Sequence, residues 1–229
     1  MNSQQFNMLS EQLLLAVKKG EDTTALRLQL KKIDFNVLMR YLINDDYKKA
    51  FWINIYNAYF LILRKEKQIE KPTIYKKKLF EIAEKQFSLD DVEHGILRRN
   101  KYKYSRGWIT KLFGTKIIKN TMVKSLDYRI HFALNCGAKS CPPIAFYTVD
   151  NISNQLDMAT QSFLEGESNF DDEKKEVKTT ALFNWYLADF GGDKGVRTIF
   201  KNQLNRDISG YTIKYKTYSW EENLDNFIS

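Results

Sequence analysis

The chain has only two cysteines and two histidines in 229 residues, and three of these four fall within eleven positions as His131-x4-Cys136-x4-Cys141. Three chemistries compete for that grouping. In the first, a thiolate generated beside an imidazole attacks a carbonyl carbon, which makes the protein a thiol-dependent hydrolase or acyltransferase acting on an amide or thioester. Cys141 is then favoured over Cys136 as nucleophile, because Pro142-Pro143 follow it and proline suits the first turn of a helix whose amino end lowers a thiol pKa. His131 or His94 supplies the base and Glu93, Asn54 or Asn57 orients it, an asparagine being able to donate to an oxyanion instead. Five extended residues would separate α-carbons by about 17 Å, so bringing His131 to Cys136 needs a sharp loop, which Gly137 permits. In the second, His94, His131, Cys136 and Cys141 together hold tetrahedral zinc, although the spacings are wide for a zinc knuckle and His94 must come from elsewhere. No metal or other cofactor is therefore assigned. In the third, the thiols are small buried hydrophobes, inert or joined as a disulfide under oxidising conditions. A non-catalytic module that holds a small molecule or peptide would use the same polar pocket.

Those residues must be positioned by the surrounding elements. Apolar residues at three- and four-residue spacing predict helices over 5–19 and 23–43, punctuated by Gly20. A third helix, from about Asp46 to Lys65, starts polar and becomes apolar all round, as a central buried helix must. Asn54 and Asn57 share one face of it, and buried amides need partners. The fitting role for them is to tie a neighbouring loop to the helix, above all the His-Cys segment. Ser88-Leu-Asp-Asp91 matches a helix-start box, opening a helix to about Arg99 with Glu93 and His94 on its second turn. Residues 128–135 have the length and apolar bias of a buried strand, ended by a loop at Gly137 and Pro142-Pro143. Further helices are expected over 150–165 and near 180–190, the latter stopped by Gly191-Gly192. The alternating segment 211–218 reads as a strand. The sum is an α+β chain, helix-rich, with a buried central helix and a small, mainly antiparallel sheet. Without a Pro- or Gly-rich linker it reads as one domain over 1–229, with a helical part at 1–45.

Composition narrows the classes. The net charge of +8 is concentrated, with 16 Lys/Arg against 7 Asp/Glu in residues 64–119. The run Lys101 to Trp108 is basic and aromatic, yet no helix-turn-helix, zinc-finger or RNP-like pattern accompanies it, which argues against nucleic acid. A small molecule or peptide is the expected partner, and nothing specifies the oligomeric state. The amino terminus shows neither a basic n-region nor an apolar h-region, so the expected location is cytoplasmic. The longest apolar run, 51–63, is shorter than the ~20 residues of a membrane-spanning helix.

Three longer blocks carry a resemblance. Ala50-Phe-Trp-Ile-Asn-Ile-Tyr-Asn-Ala58, Leu89-Asp-Asp-Val-Glu-His-Gly-Ile-Leu-Arg98 and Arg129-Ile-His-Phe-Ala-Leu-Asn-Cys-Gly-Ala-Lys-Ser-Cys-Pro-Pro143 resemble the signature blocks of the family catalogued as domain of unknown function 547. Trp185-Tyr186 with Asp189-Phe190, and Tyr218-Ser-Trp220, are similar to its closing motifs, so the likeness spans about residues 45–225. The resemblance implies kinship and no reaction. A looser analogy links a core helix and a strand-opening histidine to papain- and transglutaminase-like thiol enzymes. There the nucleophilic cysteine begins the central helix, whereas this chain has Asn54 and Asn57 on that helix.

Overall fold

The structure, a computed structural model, describes residues 3–112 and 114–228; the sequence reading that rests on Met1 and Asn2 lies outside them. Its organising element is α4 (Asp45–Leu61), in which every residue from Lys49 onward is buried. The Asn44 side chain accepts the amide hydrogens of Asp46 and Tyr47, and Asp45 and Asp46 set negative charge at the positive end of the helix. A helix apolar on all sides is stable only where other elements wrap it. α1 (Ser3–Lys19) packs along it, burying Phe6, Leu9, Leu13 and Leu14. The chain then runs past Leu61 into wider π turns over Ile62–Glu66.

The expected helix over 23–43 is two helices, α2 (Thr24–Lys32) and α3 (Phe35–Tyr41). Asp34 breaks the run by turning extended and accepting the amide hydrogen of Val37, a cap that outcompetes continuation. α5 (Thr73–Lys76) is a single turn, followed by the antiparallel pair β1 (Phe80–Ile82) and β2 (Lys85–Phe87). After it come α6 (Lys116–Thr121) and α7 (Ile152–Glu167). A second sheet joins β3 (Asn169–Asp171) antiparallel to β4 (Glu176–Thr179), and β4 parallel to β5 (Thr212–Tyr215). The fold is thus helix-rich α+β with two small sheets. Between β4 and β5 lie α8 (Leu182–Trp185) and α9 (Gly192–Leu204). Gly191-Gly192 therefore open a helix instead of stopping one: Gly191 sits at φ 81°, a conformation that glycine adopts at little cost and that turns the chain into α9.

The buried strand expected at 128–135 is a 3-10 helix, Tyr128–Phe132. Asp127 caps it by accepting the amide hydrogen of Arg129, and among the described residues no strand is in position to pair with it. A short apolar run has the same composition in either conformation; only its surroundings decide. Here they are α7 on one side and a second apolar cluster on the other, where Phe132 meets the rings of Phe163, Phe183 and Phe190.

Candidate functional site

Two irregular segments meet beneath the end of α4. The first starts with the expected box, in which the Ser88 amide donates to Asp91 Oδ2 and the Asp91 amide to Ser88 Oγ, each at 3.0 Å. The chain then winds into a π-helix, Asp91–Leu97, closed by the Arg98 amide bonding to the Glu93 carbonyl. Such widened turns are rare and concentrate at functional sites. Here they gather buried His94 and Arg98 with partly buried Glu93 into one group.

The second segment is the 3-10 helix and the loop behind it. Asn57 holds it: its amide nitrogen donates to the Ala133 carbonyl and its oxygen accepts the Asn135 amide, both at 3.0 Å. Asn135 then reaches forward, donating to the Pro142 carbonyl at 2.7 Å and accepting from the Gly137 amide at 2.6 Å. Gly137 stands at φ 70°, and a Cβ there would lie 2.7 Å from the Phe60 ring, so only glycine lets the loop close against α4. The closed loop brings the sulfurs of Cys136 and Cys141 together as a disulfide with α-carbons 6.0 Å apart. Cys141 Sγ also accepts the Cys136 amide hydrogen at 2.7 Å, and the Tyr218 hydroxyl lies 3.1 and 3.3 Å from the two sulfurs. Burial and the charge of Glu93 raise the Tyr218 pKa well above its usual value, so this hydroxyl stays protonated. No helix begins at Pro142-Pro143. The electrostatic help expected for Cys141 from a helix end is therefore absent.

Between the segments lies a largely buried polar network. Arg98 Nε donates to Asp189 Oδ2 at 2.6 Å, and both side chains are 0% exposed. His131 Nε2 is 3.0 Å from the same carboxylate oxygen, Arg98 Nη1 is 2.8 Å from His94 Nδ1, and Tyr186 and Tyr56 donate to Glu93 at 2.9 and 3.2 Å. A carboxylate only accepts and a guanidinium only donates, which fixes the tautomers: neutral His131 carries its proton on Nε2, and neutral His94 carries it there too, with Nδ1 accepting. Both rings are neutral near pH 7, because burial, reinforced by Arg98, lowers their pKa below the ordinary 6.5. Burial alone would raise the carboxyls of Glu93 and Asp189. The cationic and hydrogen-bonding partners around them reverse that and hold both below the ordinary carboxylate range. His131 is stacked flat on Tyr186, with ring centroids 4.0 Å apart, which sets its plane.

A cavity of about 580 Å³ opens over this network. Of the candidates named from sequence, Glu93, His94, His131, Cys136 and Cys141 line it. Asn54 and Asn57 do not. Asn54 is buried in a reciprocal pair with the Tyr147 backbone, as Asn57 is with 133–135, so both act as ties between helix and loop. Sequence reasoning missed Arg98, Asp189, Tyr56, Tyr186 and Tyr218 as members of the site. Their signal was their place inside the signature blocks, where Arg98 ends the second and Asp189 lies in a closing motif. Among the described residues no group of three or more His, Cys, Asp or Glu is disposed to hold a metal ion, so the four proposed zinc ligands do not form a ligand set. No helix of the described residues is long and apolar enough to cross a membrane. A family model described as "Protein of unknown function, DUF547" matches residues 42–164. No curated protein and no solved structure matches the chain.

Proposed function

The chain belongs to the DUF547 family, and from that premise, which supplies kinship and no reaction, we propose that the cavity is the active site of a thiol-dependent acyl-group enzyme. It is read as a hydrolase or acyltransferase for an amide or thioester, with Cys141 as nucleophile in the reduced protein. The observation that carries this reading is the setting of Cys141 Sγ on a cavity wall, with the Cys136 amide nitrogen 2.7 Å away donating to it and the Tyr218 hydroxyl oxygen within 3.3 Å of it. Hydrogen bonds to a charged form favour that form, so both donors promote the thiolate.

The same cavity carries His131, whose Nε2 proton is engaged by Asp189 while Nδ1 has no hydrogen-bond partner among the described residues. This is a carboxylate-oriented imidazole with its basic nitrogen unoccupied, the logic of a general base. In the proposed cycle His131 Nδ1 takes the thiol proton and the sulfur bonds to the acyl carbon. The tetrahedral oxyanion collapses, the bond to the amine or thiol breaks, and the leaving group takes the proton from His131. Water activated by the same nitrogen, or a second acyl acceptor, then releases the acyl group and returns the thiol.

The test is iodoacetamide labelling of the reduced protein across pH, followed by mass spectrometry. A Cys141 labelling midpoint below the free-thiol value of about 8.5 is expected, retained in Cys136→Ser and moved upward in Tyr218→Phe. Slow labelling with an ordinary midpoint would remove the enzyme reading. The paired sulfurs favour a second reading, in which the disulfide persists and the cavity binds a small molecule or peptide without turnover. An unreactive pair under reductant, together with ligand binding, is its signature.

A further inference from the structure

The basic excess of residues 64–119 has no part in the chemistry above, yet it forms the mouth of the same cavity. Lys71, Lys76, Lys103 and Arg106 line it, and Glu93 is the one carboxylate that does so among the described residues. Glu93 lies inward, held by Tyr56 and Tyr186. Lys103 is neutralised by Asp90 at 2.9 Å, but the Arg106 side chain bonds, among the described residues, to the neutral Asn184 alone. Lys71 and Lys76 make no ion pair among the described residues. The acids whose charge reaches Lys71, Glu70 and Glu222, are both held by Arg64, at 2.8 and 2.6 Å. Lys76 and Arg106 thus face the opening with no acidic partner among the described residues, and Lys71 has only the one negative charge that Arg64 leaves over on Glu70 and Glu222.

Aromatic faces stand beside them. Trp185 and Trp220 stack with centroids 5.7 Å apart, Lys71 lies 5.1 Å over the Trp220 ring, and Trp220 and Tyr104 are 57% and 69% exposed. Large exposed rings beside unpaired cations mark a surface made to be covered. The cavity volume, about 580 Å³, is that of a small-molecule site.

Taking the cavity as a ligand site, as the proposed function does, we infer that its ligand is a small planar molecule carrying a phosphate-like group of two or more negative charges. The anionic group sits among Lys71, Lys76 and Arg106, and the flat body lies against Trp220 and Trp185. Guanidinium and ammonium donors suit phosphate oxygens, and tryptophan faces accept a ring without hydrogen-bond readout. Burial lowers the Lys71 pKa, with Arg64 adding to the effect, and a bound anion works in the opposite direction.

The experiment is calorimetric titration of the disulfide form with 1-naphthyl phosphate, 1-naphthol and inorganic phosphate. The phosphate ester should bind one to one and at least about tenfold tighter than either fragment, and weaken at ~0.5 M NaCl, where charge is strongly screened. The double variant Lys71→Glu/Lys76→Glu should lose about tenfold or more in affinity, as should Trp220→Ala, with unchanged thermal unfolding. Lys194→Glu/Lys201→Glu, on the exposed face of α9, should leave it unaltered. Equal binding of naphthol and its phosphate, no binding of any probe, or affinity indifferent to the mouth variants overturns the inference. Because the cysteines stay bonded throughout, the outcome is independent of the thiol labelling result.

Discussion

Asp189→Asn removes one charge from the most deeply buried ion pair of the site and leaves the shape of the side chain intact. Asp189 Oδ2 receives both Arg98 Nε, at 2.6 Å, and His131 Nε2, at 3.0 Å, whereas Oδ1 has no partner among the described residues. The asparagine can keep its carbonyl oxygen at the Oδ2 position and both hydrogen bonds with it, its amide nitrogen falling where nothing accepts. The substitution therefore isolates charge from geometry. Breaking a buried pair by neutralising one member typically costs about 3–5 kcal/mol, because the remaining ion is left without compensation in a medium that solvates it poorly. Arg98, 0% exposed, is that ion. For a chain of this size each kcal/mol lowers the melting temperature by roughly 2–4 °C, so a fall of about 6–20 °C is expected. Thermal unfolding measures that fall and urea unfolding monitored by tryptophan fluorescence measures the free energy, with Arg98→Gln and the double variant completing a cycle. The double variant should lose less than the sum of the singles by at least about 1 kcal/mol. A loss under about 1 kcal/mol for Asp189→Asn, or strict additivity, would mean that Glu93 alone balances Arg98 and that the Asp189 contact is incidental.

Two further outcomes concern the same region. His94 and His131 have folded pKa values below their ordinary 6.5, so the unfolded chain binds more protons as pH falls through that range. Stability should be full above about pH 7, decline first below about 6.5 as the imidazoles take up protons in the unfolded state, and fall further below about 4, where Glu93, Asp189 and Asp127, all lowered, add their share. Urea midpoints measured from pH 8 to pH 3 check this, and a flat profile between pH 7 and 5 would contradict neutral buried rings. Asn57→Ala strips the Ala133 carbonyl and the Asn135 amide of their buried partner and should cost about 2–4 kcal/mol. Asn54→Ala should cost a similar amount by unpairing Tyr147. Only the Asn57 variant should change cysteine labelling, since only Asn57 anchors the stretch leading into Cys136.

The parts of this site that could be read from sequence are those with local causes. The central helix shows in its unbroken apolar run, and its buried carboxamides had to be satisfied by some loop; the Ser88 box is written in four adjacent residues. The rest depends on partners distant in the chain. Arg98 and Asp189 are 91 residues apart, and Tyr218 is 82 from Cys136, separations over which no periodicity survives. The apolar run at 128–132 carried equal promise of strand or helix until α7 and the cluster around Phe183 were in place beside it. The break at Asp34 was local and legible, since an acid that can cap the next helix competes with the helix it interrupts. The parallel pairing of β4 with β5 leaves no turn signal at all, because two helices intervene. The match to residues 42–164 stops short of Tyr186, Asp189 and Tyr218, so the site is completed by residues beyond the matched stretch.

Charge gives the cavity a direction. With both imidazoles neutral, the inner network holds the anions Glu93 and Asp189 against the single cation Arg98, a net negative floor. The mouth, with Lys71, Lys76 and Arg106, is positive. An anionic molecule entering head first would approach Glu93 with no free cation to meet it, whereas one entering with its uncharged end leading places its charge among the lysines. For the inferred ligand the orientation would thereby be set before any specific contact forms, because like-charge approach in a poorly solvated cavity costs more than a surface pair returns. In the proposed cycle it is the uncharged end, the part that can contain an acyl carbon, that would lie beside Cys141 and His131. A ligand whose charge and acyl carbon share the same end would bind in the unproductive sense, and acyl transfer from it should be slow even where its affinity is high.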